Sequence, residues 1–360
     1  MKKILCFGMS NNLGGIENFI INYYRKLNKE EFQMDFVKTQ NNICFEEEII
    51  SEGSQIYKIT SRSKNPLKYC IELYQLLKKH KEYDIVHVNL NTLSSIEACI
   101  FGKMLGKKVI AHSHNVWKGK GKITKILIKI NSLIIQKCTD IRLACSTAAG
   151  KYMFKKNKFE VIKNAIDVSQ FTYEPQTRKE VRDELGINKE HVIGIVGRIE
   201  NQKNHLFLLK VFKKLLEKEK ELKLLIVGDG TLKSNLIRYA EENQFLDKII
   251  FTGARKDVNR LLQAMDIFAL PSIYEGLGIV LIEAQASGLE CIVSEFIQPE
   301  VYITDLVKNA TISDENAWIN LIIESLNGER NRKSQEEEIK KAGYDINTEI
   351  VRLENIYRSL

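Results

Sequence analysis

Two glutamates with seven residues between them, Glu275 and Glu283, mark the most informative segment of the chain, Leu270-Pro271-Ser272-Ile273-Tyr274-Glu275-Gly276-Leu277-Gly278-Ile279-Val280-Leu281-Ile282-Glu283-Ala284. Glu275 falls in a glycine-containing loop behind an apolar run, and Glu283 lies inside the helical pattern that follows. The residues three and four positions from Glu283 are Ile279, Val280, Ala286 and Ser287, so its carboxylate lies on a largely apolar stripe. A carboxylate there is costly unless it accepts hydrogen bonds, and ligand hydroxyls are suitable donors. The plainer alternative for both acids is a charge that complements a helix N-terminus. Upstream, Val196-Gly197-Arg198-Ile199-Glu200-Asn201-Gln202-Lys203-Asn204 places Arg198 and Lys203 between a strand and a helix. Two cations at a strand end can hold a pyrophosphate and neutralise charge that grows on a leaving group. The alternative is two solvated surface charges.

Near the start, Asn11-Asn12-Leu13-Gly14-Gly15-Ile16-Glu17 joins a strand to a helix. Gly14 and Gly15 let backbone N–H groups approach a phosphate or a sugar, aided by the helix dipole. The same glycines would equally serve a tight turn without a ligand, and the GxGxxG spacing of a dinucleotide site is absent. His112 and His114 end another strand in Val109-Ile110-Ala111-His112-Ser113-His114-Asn115. No Asp, Glu or Cys within ten residues completes a metal site, so hydrogen bonding is expected rather than zinc. His87 and His205 read as core histidines.

The elements that must position these residues alternate along the whole chain. Apolar runs at Lys3–Phe7, Ile85–Asn89, Lys108–His112 and Arg142–Cys145, with the amphipathic stretch Pro66–His80 among them, predict βαβ units. Val192–Val196, Leu224–Val227, Ile249–Thr252, Ile267–Leu270 and Ile292–Val293 repeat the pattern, and their continuous apolar character suits strands covered on both faces. The fold class expected is α/β, with two doubly wound Rossmann-like domains facing a central cleft where strand C-terminal ends bind ligands. The seam is placed near Asn164–Gln176, after a strand at Phe159–Ile162. The boundaries expected are 1–165 for an N-terminal acceptor-side domain, 166–345 for a C-terminal donor-binding domain, and 346–360 for a terminal helix packing back toward the first.

Composition narrows the class. A chain of 360 residues with 44% hydrophobic and 28% charged residues is a globular protein large enough for two cores. Seven cysteines without a CxxC pair give neither a disulfide framework nor a zinc site, and read as reduced core residues of a cytoplasmic protein. Met1-Lys2-Lys3 before Ile4–Phe7 imitates a signal peptide, but the apolar run is too short and reads as a first buried strand. Residues 1–165 carry a net charge of +14 and residues 166–360 carry −6, so the first half is expected to face something anionic.

The chain resembles retaining glycosyltransferases of family 4, which have the GT-B fold and an EX7E motif. The resemblance rests on Glu275 and Glu283 in that motif, Gly14-Gly15 after the first strand and Gly197-Arg198-Ile199-Glu200-Asn201-Gln202-Lys203-Asn204. It rests also on Leu225-Ile226-Val227-Gly228-Asp229-Gly230, Phe251-Thr252-Gly253 and Ala286-Ser287-Gly288, all in the expected order. It implies that Gly14 and Gly15 contact donor phosphate and that Arg198 and Lys203 bind the diphosphate. Glu275 then contacts donor-sugar hydroxyls, Glu283 holds the ribose, and the Gly253–Lys256 segment, with Arg255, frames the base. Gly276, Leu277 and Gly278 complete the donor site, and His114 lies near the donor sugar, counted with Glu275, Arg198 and Lys203 as catalytic. The family works without a metal or other cofactor and retains anomeric configuration by front-face attack, with no protein nucleophile. The chain departs from the family at three places: Ala165 stands where the family usually has Gly, Glu290 replaces a common Pro, and Ser294–Glu300, a stretch that in the family normally lies near the donor, lacks the usual glycines.

Between Lys103 and Lys158 the only acid is Asp140, against fourteen Lys or Arg. Within that region Lys118–Lys137 aligns Ile123, Ile126, Leu127, Ile130, Leu133 and Ile134 on one helical stripe. Such a helix either lies on an anionic membrane or packs on the sheet with a solvated basic face. Nucleic acid is not expected as a partner, since no binding motif accompanies the charge. The expectation is a cytoplasmic enzyme, either free or peripheral at the inner face of the cell membrane. It would transfer a sugar from a nucleotide-sugar donor, a UDP-sugar ahead of a GDP-sugar, to a glycan or lipid-linked acceptor in bacterial surface polysaccharide synthesis. The rivals are a GT-B epimerase or phosphorylase, and a non-catalytic nucleotide-sugar-binding subunit.

Overall fold

A computed structural model describes residues 1–12, 14–115, 121–328 and 332–360. Lys118 and Lys120 of the basic segment and Leu13 of the glycine turn lie outside the described residues. The chain divides into two units, Met1–Ile166 with Asp345–Leu360, and Asp167–Tyr344.

The first unit holds a seven-stranded parallel sheet built from β1 (Lys2–Phe7), β2 (Phe32–Lys38), β3 (Ile56–Lys58), β4 (Ile85–Leu90), β5 (Lys108–Ser113), β6 (Ile141–Ala144) and β7 (Glu160–Val161). Their order is β3-β2-β1-β4-β5-β6-β7, so the direction of winding reverses between β1 and β4. Alternate residues of β1 enter different cores: Ile4 and Cys6 pack on one face, Leu5 and Phe7 on the other. The closing helix Ile346–Ser359 supplies Ile346, Ile350, Leu353, Ile356 and Tyr357 to the first of these cores, beside the helix Gly15–Lys26. Ile346 N–H donates to Ile166 O at 2.9 Å, where the chain returns to this unit.

The second unit has a six-stranded parallel sheet of β8 (His191–Val196), β9 (Leu222–Val227), β10 (Ile249–Gly253), β11 (Ile267–Leu270), β12 (Glu290–Ser294) and β13 (Val307–Ala310). The order β10-β9-β8-β11-β12-β13 reverses between β8 and β11. Fully buried Trp318, Phe212 and Leu224 anchor one core, and truncating Trp318 to Ala would cost about 3–5 kcal/mol.

Every strand expected from the apolar runs is present, most within two residues of the expected ends. The runs did not reveal β2, β3 or β13. In β2 the polar pair Gln33 and Asp35 interrupts the pattern, yet Asp35 is buried because Tyr83 Oη, Gln55 N–H and Gln33 Nε2 all donate to its carboxylate.

Candidate active site

The winding of the second sheet reverses between β8 and β11, which directs ligands to the loops after those strands. Lys203 ends a single 3-10 turn, Asn201–Lys203, behind β8, and Glu275 lies in the loop behind β11. Their side chains, 15% and 8% exposed, form an ion pair with Lys203 Nζ 2.7 Å from Glu275 Oε1. Ser272 Oγ donates to the same oxygen at 2.7 Å, and Gln202 Nε2 reaches Oε2 at 3.4 Å. The loops are sewn together by the backbone too: Ile273 N–H donates to Gln202 O at 2.8 Å, Gln202 Nε2 to Tyr274 O at 3.0 Å, and Ser294 Oγ to Ser272 O at 2.5 Å. Gly197 is needed for the lysine to pass, since a Cβ there, at φ +147°, would lie 2.7 Å from Lys203 Cε.

Glu283 follows on the helix Ile279–Ala286. The residue is half-buried, and its carboxylate has no hydrogen-bond or ion-pair partner among the described residues. Burial pushes its pKa up to about 7, with the Lys203 cation pulling the other way. The helix begins at Gly278, in the left-handed region at φ +72°, with no side-chain cap and no acid in its first turn; Leu281 N–H donates to Gly278 O at 2.8 Å, and the N–H groups ahead of it face the end where an anion is favoured. Gly276 is exposed and Leu277 is buried beneath the loop. One lysine thus serves two carboxylates, one paired and one unpaired.

The remaining cations differ. Arg198 is exposed, with no hydrogen-bonded or ion-paired partner among the described residues. Arg255 is already committed: its guanidinium forms two 2.7 Å bonds to Asp257 and one of 3.1 Å to Glu184, which raise its pKa. It is not a free cation for a ligand, and what that loop can offer is backbone. Gly253, at φ +70°, has open space where a side chain would be, and its carbonyl accepts from Gly228 N–H at 2.9 Å.

In the first unit, Gly14 and Gly15 open the helix Gly15–Lys26. The nearest anion there is the chain's own: Glu17, 7% exposed, accepts from Ser10 Oγ at 2.5 Å. Burial raises the Glu17 pKa, and the Ser10 hydroxyl bond is the largest influence opposing that shift. His114, expected as a hydrogen-bonding group, is buried directly after β5. Its ring lies between His112 (centroids 4.3 Å apart) and Phe19 (4.8 Å), and both nitrogens are shut away from solvent. Asn89 Nδ2 donates to Phe7 O at 2.9 Å, leaving Asn89 Oδ1 to accept from His114 Nε2–H at 2.8 Å. Burial takes the His114 pKa down to about 3, so the ring is neutral and supports the end of β5. His87 and His112 continue the stack, their centroids 5.5 Å apart.

The sequence reading brought Lys203, Glu275 and Glu283 to one strand-end region and overlooked Ser272, Gln202, Glu17 and Asn89. Ser272 had a visible signal, three residues before Glu275 in the same loop. Asn89 had none, since its partner lies on another strand.

Residues 13–170 match Glycosyltransferase Family 4, and residues 177–344 match Glycosyl transferases group 1. EpsF of Bacillus subtilis (strain 168), which bears the name of a glycosyltransferase, is 31% identical over 371 aligned positions, 99% of this chain and 96% of the relative. The chain belongs to glycosyltransferase family 4. Another relative, the Escherichia coli UDP-Gal:alpha-D-GlcNAc-diphosphoundecaprenol alpha-1,3-galactosyltransferase, is 29% identical over 302 positions, 78% of this chain and 76% of its own. The crystal structure of Anabaena Alr3699/HepE in complex with UDP matches with a TM-score of 0.81 over 100% of both chains at 16% identity. That likeness concerns the fold, which is of the GT-B class, as the family resemblance implied.

Proposed function

We propose that this family 4 enzyme is a retaining glycosyltransferase that moves a sugar from a UDP-sugar to a lipid-linked glycan acceptor in bacterial surface polysaccharide synthesis. The observation that carries the reading is Lys203 paired to Glu275 beside the unpaired, half-buried Glu283. Lys203 and Arg198 hold the diphosphate and neutralise the charge that develops as the glycosidic bond breaks. The N–H groups of the helix start at Gly278 add to that binding, with Gly276 and Leu277 shaping the loop. Glu283 accepts from ribose hydroxyls, Glu275 accepts from the transferred sugar, and the backbone from Gly253 to Arg255 frames the base.

The acceptor hydroxyl attacks the anomeric carbon on the face the diphosphate leaves, and its proton passes to a leaving phosphate oxygen. Configuration is then retained without a protein nucleophile. Glu275 suits binding rather than attack, because its oxygens are taken by Lys203, Ser272 and Gln202. The two cations supply the charge that a metal would otherwise bring, and we extend the proposal to metal independence. Placement of the enzyme at the cytoplasmic face of the membrane is part of the same proposal. The names of the E. coli relative and of the UDP-bound neighbour support the donor and acceptor classes.

A membrane contact is supported by the helix Lys122–Ile134. Ile128, Ile134 and Ile135 turn toward the core. Ile123, Ile126, Ile130 and Leu133 remain 48–75% exposed, beside exposed Lys122, Lys125 and Lys129. An exposed face of this composition fits the interface of an anionic bilayer. Among the described residues no helix is long and apolar enough to cross a membrane.

The test is to incubate the enzyme with UDP-sugars and a polyprenyl-diphosphate glycan, with EDTA and with Mn²⁺. UDP should be released one for one with product, the new bond should keep the donor's anomeric configuration by NMR, and EDTA should have no effect. An inverted product would refute retention. Activity that EDTA abolishes and Mn²⁺ restores would refute metal independence.

A further inference from the structure

The ion pair at the centre of the site joins two groups that the donor must engage separately. Lys203 Nζ is 2.7 Å from Glu275 Oε1, and the pair is largely withdrawn from water, so its charges are poorly screened. Ser272 Oγ and Gln202 Nε2 hold the carboxylate in place from two other directions. Gly197 leaves room for the lysine stem, since a Cβ there would lie 2.7 Å from Lys203 Cε. Glu283, the other carboxyl influenced by Lys203, has no partner of its own among the described residues. With one lysine between two acids, this part of the site is not a net positive cradle. An incoming diphosphate meets a cation already neutralised by Glu275 and feels the repulsion of that carboxylate.

We propose that Glu275 discriminates between donor and product: it opposes binding of a bare nucleoside diphosphate and is compensated only when a sugar hydroxyl donates to it. A UDP-sugar brings both the phosphate for Lys203 and the O–H for Glu275. UDP brings only the phosphate, leaves Glu275 unpaired and repelled, and is released. Ser272 and Gln202 are positioning residues in this scheme, because they keep Glu275 beside Lys203 when no sugar is present. The inference rests on the assignment of Lys203 to the diphosphate and adds to it a role for Glu275 in product release.

The experiment is calorimetric titration of UDP and of uridine into wild type, Glu275→Gln and Lys203→Met. Glu275→Gln should bind UDP about threefold to tenfold more tightly than wild type. Its affinity for uridine, which has no phosphate, should be unchanged, a distinction that a general disturbance of the loop would not produce. Turnover of the UDP-sugar should fall in the same variant, and inhibition by UDP should strengthen. Equal or weaker UDP binding by Glu275→Gln, with uridine binding intact, overturns the proposal. Loss of uridine binding would show that the loop is disturbed, and Ser272→Ala then decides. That variant should raise the KM for UDP-sugar with UDP affinity equal to or tighter than wild type, and weaker UDP binding overturns the proposal. Lys203→Met separates the two readings. If it binds UDP normally, the assignment of Lys203 fails; if it binds UDP poorly while Glu275→Gln gains nothing, only the role of Glu275 fails.

Discussion

Replacing Glu283 with Gln should stabilise the ligand-free protein and weaken nucleotide binding at once. Burial moves the carboxyl from an ordinary 4.5 up to about 7, and among the described residues none hydrogen-bonds to it. Because the folded pKa lies above the unfolded one, its contribution to stability is complete below pH 4.5 and is lost as pH rises through 7. At pH 8 the anion therefore burdens the fold by up to about 3 kcal/mol, at roughly 1.4 kcal/mol for each pKa unit. Glutamine keeps the shape and removes the charge, so the Tm of Glu283→Gln at pH 8 should exceed that of wild type, with the gain vanishing by pH 4.5. In the complex the anion gains ribose hydroxyls as donors, and charge-assisted hydrogen bonds are worth about 1.5–3 kcal/mol. UDP affinity of the variant should therefore fall roughly 10- to 100-fold. Wild-type affinity should also decline as pH drops below 7, whereas the variant should show no such trend. Differential scanning calorimetry across pH 4.5–8 and titration with UDP supply both measurements. A variant that is less stable than wild type at pH 8, or that binds UDP as tightly, would refute the reasoning.

Arg198→Ala and Lys203→Ala should each lower turnover by roughly 100-fold or more, because each removes a stabiliser of the leaving diphosphate; near-normal kcat in both would sink the assignment. Replacing Lys122, Lys125 and Lys129 with Gln should weaken binding to anionic vesicles by about 1 kcal/mol per charge, and Ile126→Asp should weaken it on neutral vesicles as well. Unchanged sedimentation with phosphatidylglycerol vesicles would assign that face to something other than membrane. Burial lowers the pKa of His87 and His114 from 6.5 to about 3 and that of His112 well below 6.5, so the stability they sustain above pH 6.5 drains away as pH falls toward 3. His112→Phe, which keeps a ring against Phe19 and removes two unpartnered nitrogens, should move the acid unfolding midpoint to lower pH by circular dichroism; a midpoint at higher pH would contradict this.

Local pattern was enough to read the fold class and to place the cations and acids at strand ends. A buried parallel strand needs a short apolar run, and the loop behind it carries the polar residues, so Lys203 and Glu275 could be assigned to strand ends without coordinates. Local pattern also set Glu283 on an apolar helical stripe, from which its need for donors follows. What the tertiary structure alone decided is which groups meet across large sequence separation. The pairing of Lys203 with Glu275, of Arg255 with Glu184, and of Asn89 with His114 depends on strand order and loop packing, which residue spacing does not encode. Burial likewise withheld His114, since an HxH pair at a strand end reads the same whether a helix covers it or not. The basic helix shows the limit most simply. Its sequence is apolar on more than one side, and only docking on the sheet chose Ile128, Ile134 and Ile135 for the core, leaving Ile123, Ile126, Ile130 and Leu133 exposed among lysines.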